Sequence, residues 1–390
     1  MITFIHTADW QIGKTYGIVE NEEKRVLLQQ ERISAIARIG QIARNRKAEF
    51  ILVAGDLFDS TTPTKATVSA TCRAIGNLNI PVYVIPGNHD HGGAGGLWDQ
   101  PFYINEQKSL APNLTLLLSN DPVDIGSAIL FPCPLLRRHE SNDLTAWLRT
   151  VDFNFLTDPQ KPRIIIAHGT VQGFGEQNTD DENDAPVNYV DVDRIERQNF
   201  DYIALGDWHG TKQINDRTWY SGTHEIDRFL KGEEHNPGNI LIVTAGRGRN
   251  PEVEIVRTTG MNWNSLNFEF NSDENITHFN TEVEEILGSR VNEDMFNLTL
   301  KGALGLKVQG ELEETVDRLR ARLISLKLQN QVVLAPTEEE IMELTDNNSN
   351  HLIKNVASRL MDMMAANNQE AELARTALRE LYFTINTKDN

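Results

Sequence analysis

Ten histidines occur in the chain, and the most telling of them share short polar stretches with aspartate, asparagine and glycine. Five stretches stand out: His6-Thr7-Ala8-Asp9-Trp10-Gln11, Gly55-Asp56-Leu57-Phe58-Asp59, Gly87-Asn88-His89-Asp90, Ala167-His168-Gly169 and Gly206-Asp207-Trp208-His209. Carboxylates, imidazoles and side-chain amides are the groups that hold divalent cations. A cation held this way neutralises an anionic substrate and activates water. The stretches lie far apart in the chain, so they act together only if the fold brings them to one place.

Each stretch closes an apolar run, at residues 2–5, 50–54, 82–85, 164–167 and 202–205. Runs of four or five residues rich in Ile, Val and Leu suit strands buried on both faces. Loops at the ends of neighbouring strands can bring distant ligands together. Residues 22–47 have apolar positions at helical spacing, including Val26, Ile33, Ile36 and Ile39. Pro63 suits the first turn of a second helix running to residue 78. Alternating strands and helices predict a layered α/β fold.

In order, these stretches resemble the motif series of calcineurin-like metallophosphoesterases. The opening His6-Thr7-Ala8-Asp9-Trp10 and the later Tyr220-Ser221-Gly222-Thr223 are similar to the SbcD-like DNA-repair exonuclease branch, which works with a coiled-coil SMC-like ATPase. Two positions depart from the family pattern. Gln11 stands where the family has His, and Asp207 stands where it has the first His of Gly-His-x-His. The resemblance implies a four-layered α/β/β/α sandwich at residues 1–262, a small α/β capping domain at 263–345 and a helical segment at 346–390 that could dock a partner.

The resemblance also implies roles. One metal would be held by Asp9, Gln11, Asp56 and His209, and a second by Asp56, Asn88, His168 and Asp207, with Asp56 bridging. His89 would be the general acid, oriented by Asp90, and His6 would pack behind the site. Replacing two imidazoles by oxygen donors favours Mn or Mg over Zn or Fe. The expected activity is hydrolysis of DNA phosphodiesters by metal-activated water. The alternatives are a phosphodiesterase for cyclic nucleotides or similar small esters, and a catalytically weak scaffold for the ATPase. Lys14, Trp98, Arg137, Arg138 and His224 are candidate substrate contacts, Trp98 by stacking on a base from the glycine-rich loop 91–100. Lys231, Arg247 and Arg249 are further candidate phosphate contacts.

At 390 residues the chain predicts two or three domains. A net charge of −19 argues against a protein that coats nucleic acid by its overall field, though cations at a site would offset it locally. No apolar run is long enough to span a membrane, and no signal-type segment opens the chain. Cys72 and Cys133 have no metal-type spacing and are expected to be reduced and buried, as in a cytoplasmic protein. The acidic Asp180-Asp181-Glu182-Asn183-Asp184 predicts a solvated loop. Beyond residue 265, strands are expected at 268–270, 295–300 and 331–334 and a helix at 311–328. Further helices are expected at 351–366 and 369–383, the last with Leu373, Ala377, Leu378, Leu381 and Tyr382 on one side. The family's habit of pairing through this domain suggests a homodimer.

Overall fold

A run of apolar residues without polar alternation is satisfied only in a sheet covered on both faces. All five runs form such strands in the computed structural model, which describes residues 1–155, 158–171, 187–229, 236–345, 351–364 and 369–386. The chain divides into two compact units, Met1–Asn262 and Trp263–Asn390.

In chain order the first unit contains β1 (Ile2–Thr7), α1 (Glu22–Asn45), β2 (Ile51–Ala54), α2 (Lys65–Gly76), β3 (Val82–Ile85), α3 (Pro101–Leu110) and β4 (Leu114–Leu116). There follow β5 (Val123–Asp124), β6 (Ile129–Cys133), β7 (Arg163–His168), β8 (Thr170–Val171), β9 (Tyr189–Val190) and β10 (Tyr202–Gly206). The unit closes with β11 (Lys212–Asn215), β12 (Thr218–Tyr220), β13 (Asn239–Ala245) and β14 (Glu252–Arg257).

Two six-stranded sheets result, in the orders β14-β13-β1-β2-β3-β4 and β11-β12-β10-β7-β6-β5. β1 to β4 are parallel, and β13 lies antiparallel beside β1, pairing Ile2 with Ala245 and His6 with Leu241. In the second sheet β6, β7, β10 and β12 are parallel. The sheets stack over Phe4, Leu52 and Ile85 on one side and Leu130, Ile164 and Ile166 on the other. The three helices cover the outer face of the first sheet through Ile36, Ile39, Val68, Ile75 and Tyr103. The outer face of the second sheet carries 3₁₀ turns at Ala146–Thr150 and Val192–Arg194, which bring Leu148 and Val192 to the cluster around Phe131 and Ile165. This is the expected four-layered sandwich, with 3₁₀ turns as its thin fourth layer among the described residues.

Local chemistry explains the helix starts. Asn21 caps α1 by accepting from the Lys24 N–H, and Glu22 and Glu23 favour the positive end of the helix. Pro63 is not in the first turn of α2. Thr64 is the cap, its hydroxyl accepting from Thr67 N, and Pro63 precedes it.

The second unit contains β15 (Asn262–Phe270), α4 (Asn275–Leu287), β16 (Asp294–Leu304), α5 (Leu306–Arg322), β17 (Ser325–Leu334), α6 (Glu338–Thr345), α7 (His351–Met364) and α8 (Gln369–Asn386). Its sheet has the order β15-β16-β17, with β16 and β17 parallel. The helix expected at 311–328 starts earlier and stops at Arg322, because Leu326 and Leu328 belong to the alternation of β17. The buried Glu340 carboxylate accepts from Leu306 N and Lys307 N and so satisfies the open start of α5. The last helices pack within this unit, Ala357, Leu378 and Tyr382 meeting Leu306 and Leu344. Leu373 is 69% exposed, so the buried side of α8 runs through Ala371, Ala374, Leu378 and Tyr382 instead.

The acidic run 180–184, Lys231 and His235 lie outside the described residues. Cys72 and Cys133 are free and buried. Among the described residues no helix is long and apolar enough to cross a membrane.

Candidate active site and metal centre

The polar stretches meet where the parallel strands of both sheets end. Asp9 N donates to Gly55 O (3.1 Å), Gln11 N to Asp56 O (2.8 Å) and Gly169 N to Gly206 O (3.1 Å). Asp207 N donates to the Asp9 carboxylate at 3.2 Å, which ties the two sheets together. Such tight crossings bend the backbone. Asp9, Gln11, Asp56 and Asp207 have φ of 53°, 42°, 54° and 99°, in the left-handed region that costs a side-chain-bearing residue about 1–3 kcal/mol. The surroundings must fix these turns. The buried Arg32 does much of this, its guanidinium donating to Asp9 O (3.0 Å), Trp10 O (2.8 Å), Glu225 O (3.3 Å) and Thr223 Oγ1 (3.0 Å). Gly55 and Gly87 are glycines because a Cβ there would lie 2.0 Å from His168 Nδ1 and 2.1 Å from Asp56 Oδ1 respectively.

One half of the expected ligand set is arranged for a cation. His168 Nδ1–H donates to Ala54 O (2.8 Å), which leaves Nε2 as the position for either a second proton or a metal. That nitrogen faces Asn88 Oδ1 at 3.2 Å, Asp56 Oδ1 at 3.7 Å and Asp207 Oδ1 at 3.7 Å. Ligand atoms of Asp9, Asp56 and His168 lie within 4.8 Å of one another. Thr170 Oγ1 donates to Asp207 Oδ2 (3.0 Å) and sets that carboxylate. Acceptors facing acceptors call for positive charge between them. Burial disfavours protonation of His168, yet Asp56, Asp9 and Asp207 outweigh it and push its pKa up to about 9. Burial holds the Asp9 carboxyl up at about 6, against the pull of His168 and His209. These residues fit a hard divalent ion.

The other half is arranged differently. His209 Nε2 lies 4.0 Å from Asp9 Oδ1. Between His209 and Asp56 stands the Gln11 amide, its Nε2 at 3.2 Å from His209 Nε2 and 3.3 Å from Asp56 Oδ2. Gln11 Oε1 accepts from Lys14 Nζ at 2.8 Å. An ammonium has only donors, so the amide oxygen must face Lys14 and the NH2 must face the site. Facing that NH2, a neutral His209 ring accepts at Nε2, and its Nδ1 lies between Asp227 Oδ2 (3.0 Å) and Arg228 Nη2 (3.1 Å). Burial opposes charging His209, but Asp227 outweighs it and raises the pKa of the ring, against the Arg228 guanidinium. Asp227 itself is held well below the usual carboxylate range, because His209, Lys14 and Arg32 overcome the burial penalty. As Gln11 stands, this half offers a donor where a metal needs an acceptor.

His89 stands over the cluster. Its Nδ1–H donates to Asp59 O (2.9 Å), and its Nε2 lies 3.9 Å from Asp56 Oδ2 with the side chain 37% exposed. The ring is anchored on one nitrogen and turns the other toward the Asp56 carboxylate.

The family model for calcineurin-like phosphoesterases matches residues 2–233. The chain belongs to that family. Members hydrolyse phosphoesters with divalent metals, and Asp9, Asp56 and His168 form the matching candidate centre here. Among solved structures, TT1561 of Thermus thermophilus aligns over 66% of this chain and 99% of its own at 14% identity, with a TM-score of 0.41. A second structure covers 66% of this phosphoesterase and 98% of itself at 13% identity, with a TM-score of 0.40.

The phosphoesterase site gathers Asp9, Gln11, Asp56, Asn88, His89, His168, Asp207 and His209, but other expected roles change. Asp90 does not orient His89. Its buried carboxylate accepts from Gly87 N (2.8 Å) and Phe58 N (3.0 Å), closing the turn that presents Asn88 and His89. Burial and Asp56 push Asp90 up to about 7 despite those two N–H donors. Trp98 is not available to stack on a base. It is buried against Phe58 and Tyr103, and its indole N–H donates to Asp90 O. His224 is also buried, donating from Nε2 to Arg32 O (2.9 Å) behind Trp10. Lys14 is engaged by Gln11, Asp227 (3.1 Å) and Asp59 (3.7 Å) rather than presented to a substrate. Arg247 pairs with the buried Asp201 at 3.1 Å. Arg137 and Arg138 are exposed, just beyond Leu135, whose carbonyl accepts from Gly92 N. His6 is buried, accepting from Tyr202 OH (2.9 Å) and donating to Leu205 O (3.1 Å), and burial holds its pKa down near 3.

The sequence reading missed Asp227, Arg32 and Thr170. Asp227 lies three residues beyond His224 in a loop already singled out, so the loop was visible and the residue was not. Tyr220-Ser221-Gly222-Thr223 proves to be bracing. Tyr220 OH donates to Gly169 O (2.7 Å), Thr223 N to His209 O (2.9 Å) and Thr223 Oγ1 to Asp9 O (2.9 Å).

Proposed function

We propose that this phosphoesterase is a DNA nuclease of the SbcD-like kind, using Mn to hydrolyse phosphodiesters. The observation that carries the reading is His89, fixed by Asp59 O at Nδ1 and free at Nε2 above a carboxylate cluster. A divalent cation among Asp9, Asp56, Asn88, His168 and Asp207 would neutralise the phosphodiester and activate water for its attack. With Nδ1–H held by Asp59 O, the imidazolium form of His89 would carry a second proton on Nε2, placed for transfer to the departing ester oxygen, a step typically worth about 10²–10⁴ in rate. Asp59 O keeps the ring aimed while that proton moves. Arg137 and Arg138 offer exposed positive charge to a polyanion on a chain whose net charge is −19. The oxygen-rich donor set favours Mn or Mg. The opening motif and Tyr220-Ser221-Gly222-Thr223 favour the nuclease branch and an SMC-like ATPase partner. That ATPase, and a homodimer, belong to the same reading.

The test is cleavage of single- and double-stranded DNA with Mn, Mg or no metal, beside His89→Ala. Mn-dependent cutting lost in the variant is the expected result. Hydrolysis of a cyclic nucleotide or bis(p-nitrophenyl) phosphate with DNA left intact would move the substrate to small phosphodiesters. Absence of hydrolysis with every metal, while the chain still co-purifies with the ATPase, would make it a scaffold subunit.

A further inference from the structure

The two halves of the ligand cluster are unlike, and the difference traces to one ammonium. Around His168 the side-chain atoms facing the centre are His168 Nε2, Asn88 Oδ1, Asp56 Oδ1 and Asp207 Oδ1, with Asp9 beside them; Asp56 Oδ1 takes the His89 backbone N–H (2.9 Å) and keeps a lone pair for a cation, and no side-chain amide or ammonium stands among them. Around His209 the acceptors are already served. Gln11 Nε2 lies within hydrogen-bonding distance of both His209 Nε2 and Asp56 Oδ2. The amide is not free to turn over. Turning it would place its NH2 against Lys14 Nζ, donor against donor, and bring Oε1 against the Asp56 carboxylate. Lys14 is itself held by Asp227 Oδ2 at 3.1 Å, the oxygen that also fixes His209 Nδ1. A cation at this half would have to displace the amide and then sit close to a second positive charge. The Gln11 backbone is itself fixed, its N–H donating to Asp56 O at 2.8 Å.

We propose that this chain carries a single metal, at Asp9, Asp56, Asn88, His168 and Asp207, and that Lys14 and Gln11 close the second position beside His209. The chain's own fixed cation thereby supplies part of the positive charge that a second ion would bring. The inference deepens the hydrolase reading and rests on it only for the site being a metal centre, not for the substrate.

The experiment is calorimetric titration of the metal-free full chain with MnCl2, paired with electron paramagnetic resonance of the loaded protein. Wild type is expected to bind one ion per chain and give the spectrum of isolated Mn. His168→Asn should abolish that binding, whereas His209→Asn should leave it in place. Gln11→His combined with Lys14→Met should bind a second ion and give an exchange-coupled spectrum. Lys14→Met alone should raise affinity at the second position by about 10- to 100-fold, the scale on which outer-shell partners act. Two ions of comparable affinity in wild type, with a coupled spectrum, would overturn the inference and leave the hydrolase reading intact. So would a single ion removed by His209→Asn and retained in His168→Asn. One isolated ion in a protein that leaves DNA whole would uphold the inference and defeat the substrate reading. No bound Mn at all would overturn both. The wild-type stoichiometry decides the matter even where a variant fails to fold, which circular dichroism would reveal.

Discussion

His89 and Asp90 are adjacent and separate cleanly in what they do. His89→Ala removes a partly exposed ring anchored on a backbone carbonyl, so activity should fall by about 10²–10⁴ with the unfolding midpoint unchanged. Asp90→Ala strands two buried N–H groups and should destabilise by about 1–3 kcal/mol for each, measured by urea unfolding. His168 sets a pH dependence. Its folded pKa of about 9 lies above the ordinary 6.5, so its contribution is fully present below about pH 6.5 and is lost as pH rises through 9. The metal-free protein should lose on the order of 3 kcal/mol from this residue across that window, and bound metal should flatten the loss. Thermal scans from pH 6 to 9.5, with and without Mn, check the sign. Residue types were legible in the sequence because cation chemistry admits so few of them. Orientation was not. Which face Gln11 turns to the site depends on Lys14, and whether Trp98 meets a substrate or a core depends on Phe58 and Tyr103.

The strands were the legible elements. Runs such as Ile51–Ala54 and Tyr202–Gly206 are buried on both faces, so their composition alone marks them. α3 and α4 were not anticipated, and β17 was partly merged into the preceding helix, since a half-exposed edge strand and an amphipathic helix share the same residue types over a few positions. Between the elements, the left-handed turns at Asp9, Gln11, Asp56 and Asp207 depend on packing that no local pattern records. Arg32, reaching from α1 to three carbonyls, is the clearest case. Arg32→Met should cost at least about 2–3 kcal/mol, because several buried carbonyls lose their donor. It should also weaken Mn binding without touching a ligand. Denaturation and metal titration of the same sample distinguish this from a surface effect.

At the scale of the molecule, every residue of the candidate centre comes from Met1–Asn262, while Trp263–Asn390 has its own core around Phe279, Phe296 and Leu312. Residues 1–262 expressed alone should therefore fold, bind Mn and hydrolyse a small phosphodiester. Calorimetry of the full chain should resolve two transitions, of which only one moves with added metal. Substrate and partner were the least legible features, because surfaces rather than motifs determine them.

The position of β1 has a consequence for synthesis. It leaves the ribosome well before β13, one of its two neighbours in the sheet, which begins at Asn239. At translation rates of about 5–20 residues per second, that partner arrives roughly 10–50 s later. Until then a strand of Ile, Phe and Ile offers an open edge to any chain nearby, and Asp9 lacks the Thr223 hydroxyl that braces its turn. The nascent chain thus holds an unpaired β1 edge for tens of seconds, and the turn at Asp9 is braced for a metal only once Thr223 has been added.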